Sequence, residues 1–447
     1  MGALSGPDMR FTGRCYRNAG ILYLDQVIGS KEGRRLSSRE APETQPGFPA
    51  LPNGYLTGGE WKMNEYITHK EHIFENEPLN IKSFCEKNEL SGTEIFFDDL
   101  VPRTWNLFSS ETERVSLIYK LRNLQVKRLH CSYWAYPTSF LTKNNFTELI
   151  TRFGGIEQVR AYYGDLTGSH IWKRWAQEYE IASALNAQAY TFHLIDYAPI
   201  DGEWAFTIPI NDIRQAMIFM IQQFLLNLEE LQLLTGASPC IEIENAGWGL
   251  EYGTQSKNDY ITLFEQLNDP GNKVKIGWDI NHLLHAAGKQ KGRDHAYFML
   301  PEEEKNDEMR VMEAEYGNNP ALFSARWLEY NILAPELRQR AGSIHLSDCA
   351  LKDVEFFVHG KSSPPYSDKM DALATWEEKE DYGVKIVLEH YDSHLPLETG
   401  VLKGRDVKDL LLRLHSYSKE FVILHELKNS ESIQKDFEAQ KRALNWS

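Results

Sequence analysis

The spacing of hydrophobic positions changes in a regular way from about residue 63 onward. Short runs of β-branched and aromatic residues alternate with longer stretches in which apolar residues recur every three or four positions. The first pattern is typical of buried strands, and the second is typical of amphipathic helices. Repetition of this pair predicts βα units and a parallel sheet.

Eight strands follow from this reading. Their predicted limits are 65–69, 93–98, 126–131, 187–193, 240–244, 273–279, 343–347 and 421–426. The helical segments between them include PLNIKSFCEKNEL, ETERVSLIYKLRNL, IRQAMIFMIQQFLLNLEELQLL and VKDLLLRLHSYS. Eight units predict an α/β protein with a (β/α)8 TIM barrel, a fold that needs roughly 250 residues.

Three regions of the chain exceed what such a barrel requires. Residues 1–62 are rich in Gly, Pro, Ser and charge, which predicts a partly irregular N-terminal extension. The connections at about 285–340 and 350–390 are too long for ordinary βα loops, and we expect them to be insertions. The predicted organisation is therefore an extension at 1–62 and a barrel at 63–447 that carries two βα-loop insertions.

Composition narrows the classes of function. The formal net charge is −16, which disfavours broad, non-specific contact with nucleic acid or anionic membranes. The five cysteines contain no C-x-x-C pair, and the chain has neither a long apolar run nor a signal pattern. We therefore expect a cytoplasmic protein with no membrane partner. The phosphate-loop motif and the G-x-S-x-G elbow are both missing, which disfavours P-loop and serine-hydrolase chemistry.

Residues able to bind metals recur where the predicted strands end. The carboxyl ends of barrel strands meet at one mouth, so the recurrence carries more weight than any single histidine. The predicted ligands are His130, His193, Glu244, Asp279, His282, His345, Asp392, His394 and Glu426. Nine ligands predict two or three ions. Mixed imidazole and carboxylate donors suit zinc, with manganese or iron as alternatives.

Several short motifs in this order resemble the endonuclease IV branch (AP endonuclease family 2) of the xylose isomerase-like TIM-barrel superfamily. The resemblance covers roughly residues 63–440. The motifs are ITH (67–69), EIFFDDLVPRTW (94–105), HCSYW (130–134), TFH (191–193), IEIENAGWG (241–249), GWDINHLLHAAG (277–288), IHLSD (344–348), YDSH (391–394) and ILHE (423–426). The resemblance implies a phosphodiester hydrolase that cuts abasic or damaged DNA with a metal-activated water.

The same resemblance implies how three zinc ions would be shared among the ligands. One ion would bind His130, His193 and Glu244. A second would bind Glu244, Asp279, His345 and Glu426. A third would bind His282, Asp392 and His394.

Residues expected to contact the substrate lie outside this ligand set. By resemblance, Arg103, Tyr133 and Trp134 would enter DNA at an abasic site, and His69 matches the first-strand histidine of the family. Trp248 is one of several aromatic residues near the mouth that suit stacking on a sugar ring. The chain departs from the family at several positions. His69 is followed by KEHIFENEP and not by a Gly-rich helix start, Ser393 stands where an Arg is usual, and LETG stands where a Gly-x-Gly is usual.

Two alternatives remain open at this point. A sugar isomerase or epimerase of the same superfamily would need one divalent ion on Glu244, Asp279, His345 and Glu426. The two glutamates would then exchange a proton beside a carbonyl. A barrel that only binds ligands is the second alternative. Glu244, Asp279 and Glu426 are the predicted catalytic residues. The sequence leaves the oligomeric state open.

Overall fold

The structure is a computed structural model that describes part of the chain. The described residues are 63–69, 78–96, 111–122, 124–131, 150–151, 154–157, 169–193, 197–200, 203–206, 218, 221–222, 225, 239–245, 256–269, 271–287, 310–311, 314, 319–359, 382–427 and 432–445. The predicted extension at 1–62 lies outside these residues.

Strands and helices alternate along the described chain. The strands are β1 (Glu65–His69), β2 (Gly92–Phe96), β3 (Val126–His130), β4 (Ala189–His193), β5 (Tyr197–Ile200), β6 (Glu203–Phe206), β7 (Cys240–Glu244), β8 (Val274–Asp279), β9 (Ala341–Leu346), β10 (Asp348–His359), β11 (Tyr382–Leu395) and β12 (Val422–His425). The helices are α1 (Pro78–Lys87), α2 (Glu111–Arg122), α3 (Ser169–Ala184), α4 (Lys257–Gln266), α5 (Ile280–Ala287), α6 (Pro320–Ile332), α7 (Gly404–Tyr417) and α8 (Ile433–Ala443).

Eight of these strands close into one barrel. Around the barrel their order is β1, β2, β3, β4, β7, β8, β9 and β12, and β12 pairs with β1. Every neighbouring pair is parallel. The predicted (β/α)8 barrel is confirmed, and each predicted strand limit lies within two residues of the observed one.

Helix α6 belongs to the helical layer that covers the sheet, although its residues fall inside the predicted insertion at 285–340. Its buried face includes Phe323, Trp327 and Leu328. The indole Nε1 of Trp327 donates to the carbonyl oxygen of Leu283 at 3.1 Å, which joins α6 to α5. The limits of that insertion stay a prediction.

A long antiparallel hairpin of β10 and β11 occupies much of the predicted insertion at 350–390. Its register runs from Asp348 opposite Leu395 to His359 opposite Tyr382. At the base of the hairpin, the Asp348 carboxylate accepts the backbone N–H of residues 349, 400, 401 and 402 at 2.8–3.0 Å. These bonds fix the start of β10 against residues 400–402, which follow β11.

A layer of polar side chains fills the barrel beneath its carboxyl mouth. The buried guanidinium of Arg128 contacts the carboxylates of Glu94 and Glu242. Ser343 Oγ donates to Glu242 Oε2 at 2.6 Å, and Thr191 Oγ1 donates to Glu94 Oε2 at 3.5 Å. Each of these residues lies two positions before either the last residue of its strand or a predicted metal ligand. The polar layer therefore lies directly beneath the residues of the mouth.

Among the described residues, no helix combines the length and the apolar character needed to cross a membrane. The cytoplasmic location stays a prediction.

Candidate metal centre

Predicted metal ligands meet at the carboxyl mouth of the barrel. They form three groups, and within each group the candidate ligand atoms lie within 4.8 Å of one another. The groups share members, because Glu244 belongs to the first and second and Asp279 to the second and third. Every member of the three groups is buried. The groups are His130, His193 and Glu244; Glu244, Asp279, His345 and Glu426; and Asp279, His282 and His394.

The first group is built on β3, β4 and β7. His130 Nε2 lies 3.2 Å from Glu244 Oε2, and His193 Nε2 lies 3.1 Å from Glu244 Oε1. The ring of Phe96 stacks on His130 with centroids 4.1 Å apart. His130 Nδ1 faces the carbonyl oxygen of Cys131 at 3.2 Å, and this acceptor favours a proton on Nδ1. Nε2 is then left with a lone pair directed at the centre.

The second group holds the largest share of negative charge. His345 Nδ1 lies 2.8 Å from Glu426 Oε2 and 3.5 Å from Glu244 Oε2. Glu426 follows β12, and its backbone N–H donates to the Leu346 carbonyl at 3.2 Å, which places the carboxylate at the rim. The three buried carboxylates of this group repel one another unless a cation or protons compensate their charge.

The third group forms where β8 passes directly into α5. Asp279 Oδ1 accepts the backbone N–H of His282 at 2.9 Å, so the aspartate caps this helix. Its Oδ2 lies 3.4 Å from His282 Nδ1. His282 Nδ1 also lies 2.9 Å from the carbonyl oxygen of Asn245, which favours Nε2 as the ligand atom. The ring of His394 lies 5.5 Å from that of His282.

One predicted ligand of the third ion has no described side chain. Asp392 lies on β11, but its side chain lies outside the described part of the chain. The structure instead brings Asp279 together with His282 and His394. The role predicted for Asp392 stays a prediction.

The donor atoms of this centre fit bound cations. Several buried atoms have no hydrogen-bond partner among the described residues, and leaving such atoms unsatisfied costs folding free energy. Coordination of metal ions would satisfy the carboxylate oxygens and one nitrogen of each imidazole, and this nitrogen and oxygen chemistry suits zinc, manganese or iron. These atoms are His130 Nε2, both ring nitrogens of His193, Glu244 Oε2, Asp279 Oδ2 and His345 Nε2.

Burial and charge set the protonation of the ligands. Burial acts to raise the pKa of Glu244, but the charge of His345 and the close imidazoles of His193 and His130 hold it well below its usual value. Burial lowers the pKa of His193 to about 4, so this imidazole is neutral. For His345 burial acts to lower the pKa, yet Glu244 and Glu426 raise it to about 9. A bound cation would replace the proton on His345, because metal ligands must be deprotonated.

Three supporting residues were not singled out by sequence reasoning as contributors to this centre. Asn245 Nδ2 donates to the Asp279 carbonyl at 3.0 Å, while Asp279 N donates to Asn245 Oδ1 at 2.8 Å. Asn281 and Ser347 form a second set of contacts close to His394. Neutral amides and hydroxyls have no metal-ligand pattern of their own, so only their position next to predicted ligands was a signal.

The predicted substrate contacts fall on undescribed positions. Arg103, Tyr133, Trp134 and Trp248 lie outside the described residues, as does the side chain of His69 at the end of β1. These roles stay predictions.

Ser393, one of the positions that depart from the resemblance described above, has a described side chain. It is buried, and its Oγ accepts the backbone N–H of Ala350 at 2.8 Å. The same oxygen lies 3.3 Å from the Asp348 carbonyl oxygen, to which the hydroxyl donates. This side chain therefore closes the base of the hairpin.

Fold and site together define a (β/α)8 barrel with a candidate multinuclear metal centre at its carboxyl mouth. Similar solved structures include endonuclease IV from Thermus thermophilus (13% identity, TM-score 0.43, covering 86% of this chain and 100% of that one). A 3-keto-D-glucoside 4-epimerase from E. coli is also similar (13% identity, TM-score 0.43, covering 86% of this chain and 98% of that one). A third is a putative xylose isomerase from Rhodospirillum rubrum (12% identity, TM-score 0.45, covering 86% of this chain and 99% of that one).

These similarities concern the barrel alone and do not distinguish hydrolysis from isomerisation or epimerisation. No protein-family model and no curated protein sequence matches the chain.

Proposed function

We propose that the chain is a metal-dependent phosphodiester hydrolase that acts on abasic or damaged DNA and uses two or three zinc ions. The supporting observation is that three ligand groups adjoin through shared carboxylates, Glu244 and Asp279. A single ion has no use for so many buried donors. Manganese or iron are the alternatives that the same donor set accepts.

Glu244 lies at the centre of the ligand network, and each of its carboxylate oxygens faces two histidines. Its Oε1 faces His193 at 3.1 Å and His282 at 3.3 Å. Its Oε2 faces His130 at 3.2 Å and His345 at 3.5 Å. Each carboxylate oxygen therefore faces one histidine of the first group and one histidine of another group.

The charge of the centre supports an anionic substrate once cations are bound. The predicted ligand set contains four carboxylates, Glu244, Asp279, Asp392 and Glu426. Three dications carry more positive charge than these carboxylates carry negative charge. The mouth then attracts a phosphodiester locally, although the chain carries a net charge of −16. Clustered dications, when bound, stabilise the charge of a phosphodiester and supply a nucleophilic water at neutral pH.

The proposal is tested by counting metal and assaying cleavage on the same preparations. Elemental analysis of unsupplemented protein should give about two or three ions per chain. The loaded protein should nick abasic duplex or single-stranded oligonucleotides. Glu244→Gln should lose both properties, because it removes charge shared by two groups. Glu86→Gln, on an exposed side chain of α1, should change neither.

Fully loaded protein that leaves both oligonucleotides intact contradicts hydrolysis of abasic DNA.

A sugar isomerase or epimerase is the second candidate, because the group of Glu244, Asp279, His345 and Glu426 is a complete four-ligand site by itself. In that reading, one ion per chain is expected and the first group is unnecessary. His130→Ala would then leave metal content unchanged, whereas the hydrolase reading expects it to lose an ion. Incorporation of solvent deuterium into a sugar would favour this alternative.

A further inference from the structure

His394 reaches the metal centre from the hairpin rather than from a barrel strand. It lies one residue before the end of β11, and its backbone φ is +45°. Non-glycine residues rarely adopt this left-handed conformation, which persists only when surrounding contacts hold the residue in place. The contacts that hold His394 therefore decide whether it can act as a ligand.

Ser347 provides one of these contacts. It is fully buried in the link between β9 and β10, and its Oγ lies 3.2 Å from His394 Nδ1. The amide Nδ2 of Asn281 donates to Ser347 Oγ at 3.4 Å and to the Asp348 carbonyl oxygen at 2.7 Å. Asn281 lies between two ligands of the third group, Asp279 and His282. A chain of hydrogen bonds therefore connects the start of α5 to the imidazole of His394.

The direction of the Ser347 contact determines which nitrogen of His394 is free to coordinate. A hydroxyl oxygen has two lone pairs, and Asn281 uses one of them. The other can accept a proton carried on His394 Nδ1, which leaves Nε2 as the unprotonated atom. The neighbouring ligand His282 is arranged in the same way by the carbonyl oxygen of Asn245.

We propose that Ser347 is a positioning residue for the third ligand group: it holds the imidazole of His394 so that Nε2 faces Asp279 and His282. The inference depends on the metal binding in the proposed function but not on the reaction catalysed. Ser347 contacts no ligand of the first group in any described hydrogen bond, so its effect should be confined to one ion. Loss of such a supporting contact typically weakens metal affinity roughly 10- to 100-fold.

The test is a zinc titration of the full-length protein in a metal buffer, with bound zinc counted at each free concentration. Ser347→Ala should lose one ion at a free zinc concentration that saturates the wild type, while the tighter ions stay bound. Ser347→Thr keeps the hydroxyl and should restore most of the lost affinity. Ser324→Ala is the matched control, because Ser324 is equally buried but bonds to the Pro320 carbonyl within α6.

A second measurement separates positioning from general damage to the fold. Long-range ¹H–¹⁵N spectra of the histidine rings should show the Nδ1-protonated form of His394 in wild type and Ser347→Thr, and a mixture in Ser347→Ala. Unchanged zinc binding by Ser347→Ala overturns the inference, and so does an equal loss of every ion. A wild-type chain that binds one ion or none contradicts the proposed function, and this inference with it.

Discussion

Replacement of Arg128 by methionine tests the polar layer beneath the metal centre. Arg128 is only 2% exposed and lies between Glu94, at 0%, and Glu242, at 2%. It is the one cation that these two carboxylates contact in the described ion pairs. The variant Arg128→Met removes the charge and leaves both carboxylates buried without it.

The expected loss follows from the cost of an uncompensated buried charge. Removing one partner of a buried ion pair costs about 3–5 kcal/mol. Here Ser343 still donates to Glu242 and Thr191 still donates to Glu94, so part of the solvation is kept. We expect a decrease of about 4 kcal/mol in the free energy of unfolding, a large share of the roughly 5–15 kcal/mol that holds a typical domain folded.

The assay is urea unfolding of chelator-treated protein, followed by tryptophan fluorescence at about pH 7 and about pH 5. Burial already raises the pKa of Glu94 above 4.5, against the charges of His345 and Arg128. Without Arg128 its pKa should rise further. A carboxylate with a raised folded-state pKa destabilises the fold at high pH and is relieved as pH falls through that value. The deficit should therefore shrink at the lower pH.

The control is Arg405→Met, where the guanidinium is 90% exposed and pairs with Asp406. Such surface pairs contribute roughly 0–1 kcal/mol. A loss below about 1 kcal/mol in Arg128→Met, or a loss that is equal at both pH values, would refute the reasoning.

Two further changes test other contacts. Burial acts to raise the pKa of Glu65, but His425 and Lys441 lower it below its usual value. The ionised carboxylate therefore stabilises the fold above about pH 4.5, and this stabilisation is lost as the pH falls through the lowered pKa. Glu65→Gln should cost on the order of 1 kcal/mol near neutrality in urea unfolding, and a deficit that persists in acid contradicts this. A Cβ at Gly277 would lie 3.2 Å from Ser343 Oγ and 3.5 Å from His345 Nε2. Gly277→Val should therefore weaken zinc binding roughly tenfold while Gly277→Ala changes it little, and equal affinities argue against the close fit.

The barrel could be predicted from the sequence because its strands are buried on both faces. Residues of β2, β4 and β12 are buried at every position, so these strands form short continuous runs bounded by polar turns. Once eight such runs are recognised, barrel geometry brings their carboxyl ends together without further information. This is why the predicted ligands at strand ends meet in the structure.

The grouping of the ligands was less accessible. Asp279 takes part in two groups and also caps α5, because that helix begins at the next residue, Ile280. Spacing alone leaves open where a helix starts. The pairing of β10 with β11 could not be predicted either. Antiparallel pairing depends on contacts between residues that are distant in the sequence, and the local pattern does not show which residues will be opposite each other.

The polar layer beneath the metal centre could not be predicted from the sequence either. In the sequence, Glu94, Arg128 and Glu242 resemble the outward-facing positions of half-buried strands. In the barrel they point inward and meet each other across 34 and 114 positions of the chain. Only the closed strand order reveals that the interior beneath the metal centre is charged.

The third ligand group differs from the others in joining two parts of the fold. Asp279 and His282 belong to the barrel, whereas His394 belongs to the hairpin. A cation bound there stabilises the arrangement in which all three ligands meet, by about 2.7 kcal/mol when its free concentration is a hundred times its dissociation constant. That free energy would offset the strained backbone of His394 and add to the hydrogen bonds of Asp348 at the hairpin base. If a metal binds there, its occupancy and the seating of the hairpin on the barrel would form one linked equilibrium, so a change that weakens either should weaken the other.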